Sequence, residues 1–230
     1  MPNTYFRFRQ FTIHQDRTAM KVCTDACLFG AWTVSEIRND KIERILDIGT
    51  GTGLLSLMVA QAMDAHIDAV EIDENANAQA AENFKASPWS NKLQLHHCAV
   101  QQFHPPYLFD LIICNPPFYE NDLPSPDKKK NIAMHSTQLS ADELFYSMKR
   151  LLAPSGKISI LVPYHKTKSI ERKINDNNLF IYKKVAVKQT EKHSPFRCMY
   201  LITDVFSGFS ESRITVKDEE FNSLLKSYYL

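Results

Sequence analysis

The chain has 230 residues, 44% of them apolar, which suits one large domain with a sizeable core. No apolar run is long enough to span a membrane, and residues 1–7 lack the apolar stretch of a secretory signal, so a cytoplasmic protein without a membrane partner is expected. A net charge of +1 excludes recognition of nucleic acid by overall charge alone, and five cysteines without metal-like pairing read as reduced thiols with no metal.

In chain order, the apolar pattern predicts a helix near 25–38 and a strand near 44–49. That strand runs into Gly49-Thr50-Gly51-Thr52-Gly53, with glycine at every second position, and a helix near 54–64 follows. Glycines here let the backbone turn tightly and let a ligand approach the main chain. The spacing differs from the dinucleotide fingerprint, and no Gly-Lys-Ser/Thr follows, which argues against a triphosphate-cradling loop. The next strand, near 67–72, ends at an acid. Glu71 falls roughly 20 residues after the glycine loop, where a carboxylate can hold a ribose diol. It also reads as a solvated carboxylate at a strand end. Asp73 reads as the N-cap of a helix over 74–86. A strand near 92–97 contains His96 and His97, one of which is expected to pack.

The run Phe109-Asp110-Leu111-Ile112-Ile113-Cys114 reads as a buried strand, and Asn115-Pro116-Pro117-Phe118 follows it directly. These four residues make a poor packing element and a good clamp for a flat group bearing an NH2. The Asn115 amide oxygen can accept one N–H, the Pro116 carbonyl a second, and the Phe118 ring can stack. The same residues also suit a strand ending in a turn. Residues 121–132 are rich in proline and charge and read as a loop beside the pocket or as a plain surface excursion. Further elements are a helix near 141–152, a turn at Ser155-Gly156, a strand near 157–162 and a helix near 166–176. Strands near 180–188 and 197–205 read as an antiparallel pair, and a last helix is expected near 217–228. Alternating strands and helices imply a mostly parallel sheet covered on both faces, with ligands at the carboxyl ends of its strands.

The ordered motifs at Asp47 to Gly53, Glu71 and Asn115 to Phe118 resemble those of class I S-adenosylmethionine-dependent methyltransferases. The opening, with Lys21-Val22 and Thr24-Asp25 inside residues 11–32, is similar to that of the bacterial tRNA1(Val) adenine-N6-methyltransferases. The resemblance implies a Rossmann-like α/β fold: a mostly parallel seven-stranded sheet, helices on both faces and an antiparallel last strand. It implies one methyltransferase domain over 1–230, with a cap or substrate segment at 1–40, a cofactor core at 41–165 and a completing segment at 166–230. The implied cofactor is S-adenosylmethionine, leaving as S-adenosylhomocysteine. The implied contacts to it are Lys21, Thr24, Asp25, Asp47, Gly49, Thr50, Gly51, Gly53, Glu71, Ile72, Ala99, Val100 and Asn115. Asn115, Pro116, Pro117 and Phe118 would carry the chemistry. The family often has an acid where Ala99 and Val100 stand, so recognition of the cofactor's adenine falls to main chain or to Gln101.

The implied partner is a tRNA, with no obligate protein partner. Arg7, Arg9 and Arg17, then Lys128, Lys129 and Lys130, then Lys188, Lys192 and Arg197 form three basic segments able to hold its phosphates. His135 could approach the substrate and His193 a phosphate. Rival readings are a ribosomal RNA guanine-N2 methylase, a methylase of a protein glutamine amide, and a non-catalytic RNA-binding module that kept the fold.

Overall fold

A computed structural model describes residues 3–18, 20–116 and 139–230. The chain opens with a small antiparallel hairpin, β1 (Tyr5–Arg7) and β2 (Thr12–His14), and continues into α1 (Thr24–Ile37). There follow β3 (Arg44–Ile48), α2 (Leu54–Ala62), β4 (His66–Glu71), α3 (Glu74–Ala86), β5 (Leu93–His97) and β6 (Phe109–Cys114). The remainder comprises α4 (Ala141–Leu151), β7 (Leu152–Pro163), α5 (Thr167–Asp176), β8 (Phe180–Lys188), β9 (Pro195–Thr203), β10 (Ser210–Thr215) and α6 (Glu219–Leu225).

Strands β3 to β10 make one sheet in the order β10-β8-β9-β7-β6-β3-β4-β5. Only β9 runs against its neighbours, β7 and β8. The expected Rossmann-like sheet is therefore present, and β10 extends it to eight strands by pairing parallel to β8. The turn expected at Ser155-Gly156 lies inside β7. Ser155 takes φ of 62°, and the pairing with β6 shifts register between Phe109 and Leu111.

The central strands are apolar at successive positions because both of their faces are covered. Successive side chains point to opposite faces. Ile45, Ile67, Leu111 and Ile113 join a core with α1, α2 and α6, whereas Leu46, Val70, Ile112 and Cys114 join a second core with α4 and α5. Helix starts follow from local chemistry. Asp73 accepts from the Ala76 N–H at 2.8 Å, and Ser140 and Glu143 form a reciprocal capping box at the head of α4.

This topology places the carboxyl ends of β3, β4, β6, β7 and β8, with the amino end of β9, along one edge. Among the described residues no helix is long and apolar enough to cross a membrane, and no group of three or more His, Cys, Asp or Glu could hold a metal ion.

Candidate active site

The loop after β3 is built on positive φ angles. Gly49, Gly51 and Gly53 have φ of 69°, 59° and 84°, values that side chains resist. A Cβ at Gly49 or Gly51 would meet nothing within 4 Å, so both glycines face open space. A Cβ at Gly53 would stand 2.5 Å from the Phe84 ring, so the loop is pressed against α3 at that point. The amides of Gly49 and Thr50 donate to the Val70 carbonyl at 2.9 and 3.2 Å, which ties the loop to β4.

Two carboxylates fix the loop. Asp47 is fully buried, and its Oδ2 accepts from the Thr50 hydroxyl (2.6 Å), the Ser56 hydroxyl (2.6 Å) and the Ser56 amide (3.2 Å). Its Oδ1 is buried and has no hydrogen-bond partner among the described residues. Burial pushes the Asp47 carboxyl up to about 6, against the hydrogen bonds from Ser56 and Thr50 that pull it down. Glu71, also buried, accepts from the Gly51 amide on Oε2 and from the Ile72 and Asp73 amides on Oε1, each at 2.9 Å. Ile72 beside it is 60% exposed, an apolar surface at the lip of the loop.

Asn115 and Pro116 stand at the end of β6, half-buried. The register pairs Cys114 with Ile48, so Asn115 and Gly49 leave adjacent strands side by side, about 4.8 Å apart in the hydrogen-bonding direction. Glu71 ends the strand beyond. Glycine loop, acid and carboxamide thus occupy three consecutive strand ends, where a sheet of this kind binds its ligands.

Residues 31–180 match a family model described as the methyltransferase small domain. A tRNA1(Val) (adenine(37)-N6)-methyltransferase of Dyadobacter fermentans is 43% identical, over 99% of this chain and 98% of that protein. A protein of the same name from Parabacteroides distasonis is 36% identical over 100% of this chain and 99% of its own length. The chain belongs to this methyltransferase family. Among solved structures, a predicted O-methyltransferase from Agrobacterium tumefaciens superimposes with a TM-score of 0.69 at 12% identity, covering 88% of this chain and 95% of that one, a likeness of fold.

The methyltransferase uses its opening motif partly to brace itself. The Lys21 ammonium donates to the carbonyls of Gln15 and Thr18 (3.0 Å for Thr18), and the Val22 amide donates to the Gln15 side chain at 2.7 Å. Thr24 begins α1 and is exposed. The Asp25 carboxylate meets the Arg197 guanidinium at 2.8 Å. Burial raises its pKa, but hydrogen bonds from Cys23 and Arg197, with the Arg197 charge, outweigh that and hold it below the usual carboxylate range. Val100 is 4% exposed and packs in the core with Val70 and Phe103, so its side chain is spent on packing. Ala99 is half-buried, and Gln101 is exposed.

Of the basic residues, Arg9 donates to the Tyr229 carbonyl, Arg17 pairs with Glu82 at 2.9 Å, and Lys188 reaches the Glu191 carbonyl. Arg7 and Lys192 are exposed. His96 is the packed member of its pair, 2.6 Å from the buried Asp68, and the exposed His193 contacts Thr190. Pro117, Phe118, Lys128, Lys129, Lys130, His135 and residues 121–132 lie outside the described residues.

Sequence reasoning missed two amides on α3. Asn83 donates to the Thr52 carbonyl at 2.8 Å and the His14 carbonyl at 2.9 Å, and accepts from the His14 amide at 2.9 Å. Gln79 accepts from the Arg17 amide at 3.2 Å. Four residues apart, they share a helix face and join the glycine loop to the N-terminal segment. The one available signal was two polar residues at that spacing on a face otherwise made of alanine and Phe84.

Proposed function

We propose that this chain methylates the N6 amine of adenine 37 in tRNA1(Val), with S-adenosylmethionine as donor and Asn115 and Pro116 as the groups that hold the amine. The observation that carries this reading is Asn115 standing one strand from the glycine loop in a chain 43% identical to a methyltransferase of that name over nearly its whole length.

The residues fit such a donor on three counts. Gly49 and Gly51 leave open space where ribose and methionine approach the main chain. Glu71 carries three amide donors on about four lone-pair sites, which leaves one for a ribose hydroxyl. The unpartnered Asp47 Oδ1 suits an ammonium group. When bound, S-adenosylmethionine supplies a methyl group on a positively charged sulfur.

Everything else is positioning and electrostatics. Asn115 Oδ1 and the Pro116 carbonyl each accept one N–H of the adenine amine. Those bonds turn the nitrogen lone pair out of the ring plane and toward the donor. They also offset the positive charge that grows on nitrogen during transfer. Holding nitrogen and methyl in line removes several kcal/mol of barrier. The nitrogen proton becomes acidic only after the methyl arrives, so its loss to solvent needs no strong base. A purine starting in a folded anticodon loop must first leave its stack.

The test is incubation with S-adenosylmethionine and, in separate reactions, RNA (tRNA and ribosomal RNA) or protein lacking its own modifications, followed by digestion. N6-methyladenosine at position 37 is the expected product. N2-methylguanosine, a methylated glutamine in a protein, or no product with either substrate would each replace this reading with one of its rivals.

A further inference from the structure

We infer, on the strength of the reaction proposed above, that the strand ends of β7, β9 and β8 form a ridge that binds the RNA backbone on the side of the target base away from the glycine loop, with Lys168 and Lys192 contacting its phosphates. Sheet order sets the geometry. Asn115 ends β6. On one side of it lie β3 and β4 with the glycine loop and Glu71, and on the other lie β7, β9 and β8 in turn. Cys114 pairs with Ile160, Pro163 with Arg197, and Pro195 with Lys188, so these three ends continue the same edge for three strand intervals, about 14 Å.

The chain leaving those ends is basic. After β7 come the exposed His165 and Lys168, and the turn between β8 and β9 carries the exposed Lys192 and His193. Two acids beside these strand ends, Asp25 and Glu191, are already matched by a cation or a hydroxyl. Asp25 pairs with Arg197, and Glu191 accepts from the Thr215 hydroxyl at 2.6 Å with Lys188 3.6 Å away. Arg197 and Lys188 therefore brace the ridge, and Lys168 and Lys192, which make no ion pair among the described residues, supply its outward charge. Lys168 sits in the first turn of α5, whose amides have no side-chain cap, and helix N-termini favour anionic groups. Of the N-terminal arginines, Arg9 is spent on Tyr229 and Arg17 on Glu82.

The test is the double variant K168E/K192E, with K41E as control. Lys41 is exposed and precedes β3, at the opposite edge of the sheet. Glutamate suits the first turn of a helix, so K168E leaves α5 intact. Equilibrium binding of unmodified tRNA is read by anisotropy over a salt series. The affinity of the double variant is expected to fall at least tenfold, with a salt slope shallower by about 1–2, because fewer counterions are released. Affinity for S-adenosylhomocysteine and the kcat at saturating RNA should match the parent, as should every property of K41E. Equal RNA affinity and salt slope in K168E/K192E and the parent would overturn the ridge, as would a parent that binds no tRNA. A parent that binds tRNA through these lysines yet forms no N6-methyladenosine would keep the ridge and remove the proposed reaction.

Discussion

On the β3–β4 side of Asn115 the charged groups turn inward. Asp47 and Glu71 are buried, and Asp47 Oδ2 and both Glu71 oxygens accept from amides and hydroxyls of the glycine loop, α2 and the turn after β4. On the β7–β9–β8 side Lys168 and Lys192 turn outward, while the neighbouring acids Asp25 and Glu191 already have partners. The first arrangement suits a small ligand whose position must be fixed to a fraction of an ångström, since buried carboxylates cannot reorient without losing several hydrogen bonds. The second suits a long polyanion, for which attraction matters more than placement. Asn115 stands at the boundary, where both partners must meet. Substitutions on the two sides should therefore fail differently.

The sharpest separation is expected at the boundary itself. Asn115→Ala should lower kcat about 100- to 1000-fold, the usual effect of removing one group that stabilises developing charge. Affinities for S-adenosylhomocysteine and tRNA should stay within about twofold of the parent. Measuring all three decides the matter, because parallel losses in kcat and cofactor affinity would assign Asn115 to the inward side.

Gly53→Ala attacks the inward side. The new methyl would adopt φ of 84° and meet the Phe84 ring at 2.5 Å. Left-handed backbone and overpacking together should cost about 2–4 kcal/mol of stability in denaturant unfolding. Cofactor affinity should fall with it, while the salt slope of RNA binding stays unchanged. Asn83→Ala is milder. It orphans the Thr52 and His14 carbonyls and the His14 amide, at about 2 kcal/mol. Because Asn83 touches both the glycine loop and the N-terminal segment, cofactor affinity should drop with the intrinsic stability. Unchanged affinity would show that the loop holds its shape without α3.

The sequence announces the inward side well. Each of its parts follows an apolar strand within a few residues, so strand end and functional group are read together, as with Asp47 to Gly53 and with Cys114 to Asn115. The N-cap at Asp73 is equally local. What the sequence hides is pairing across long separations. Arg197 and Lys188 count as basic residues, but the carboxylate that neutralises Arg197 lies 172 positions away at Asp25. Val100 follows a strand as a ligand contact would, yet its apolar side chain turns into the core. Strand β10 is exposed over Ser210 to Arg213 and buried only at Ile214 and Thr215, so no alternation marks it, and β9 separates it in the chain from its partner β8. Asn83 is silent for the same reason, since its three partners sit 31 and 69 positions away.

The smallest expected effect concerns pH, and it probes whether the inward side meets a cation. Burial disfavours the charge of Asp47 and pushes its carboxyl up to about 6 in the folded chain, above the ordinary carboxylate range. A raised folded pKa means that the folded state holds a proton the unfolded state has released. The ligand-free protein is thus favoured by this group below about pH 4 and loses that contribution as pH rises through 6. Cofactor binding has the opposite sign. An ammonium beside Oδ1 favours the ionised carboxylate, so the dissociation constant of S-adenosylhomocysteine should be flat above pH 7. It should weaken about tenfold by pH 5. Asp47→Asn keeps an oxygen for Ser56 and Thr50 but cannot ionise. It should flatten both profiles and raise stability at neutral pH, where the buried charge is otherwise a cost. Calorimetric titrations of parent and variant between pH 5 and 8 distinguish the cases. A parent profile as flat as that of Asp47→Asn would mean that no cation approaches Oδ1, and would leave the methionine end of the cofactor to the main chain of Gly49 to Gly53.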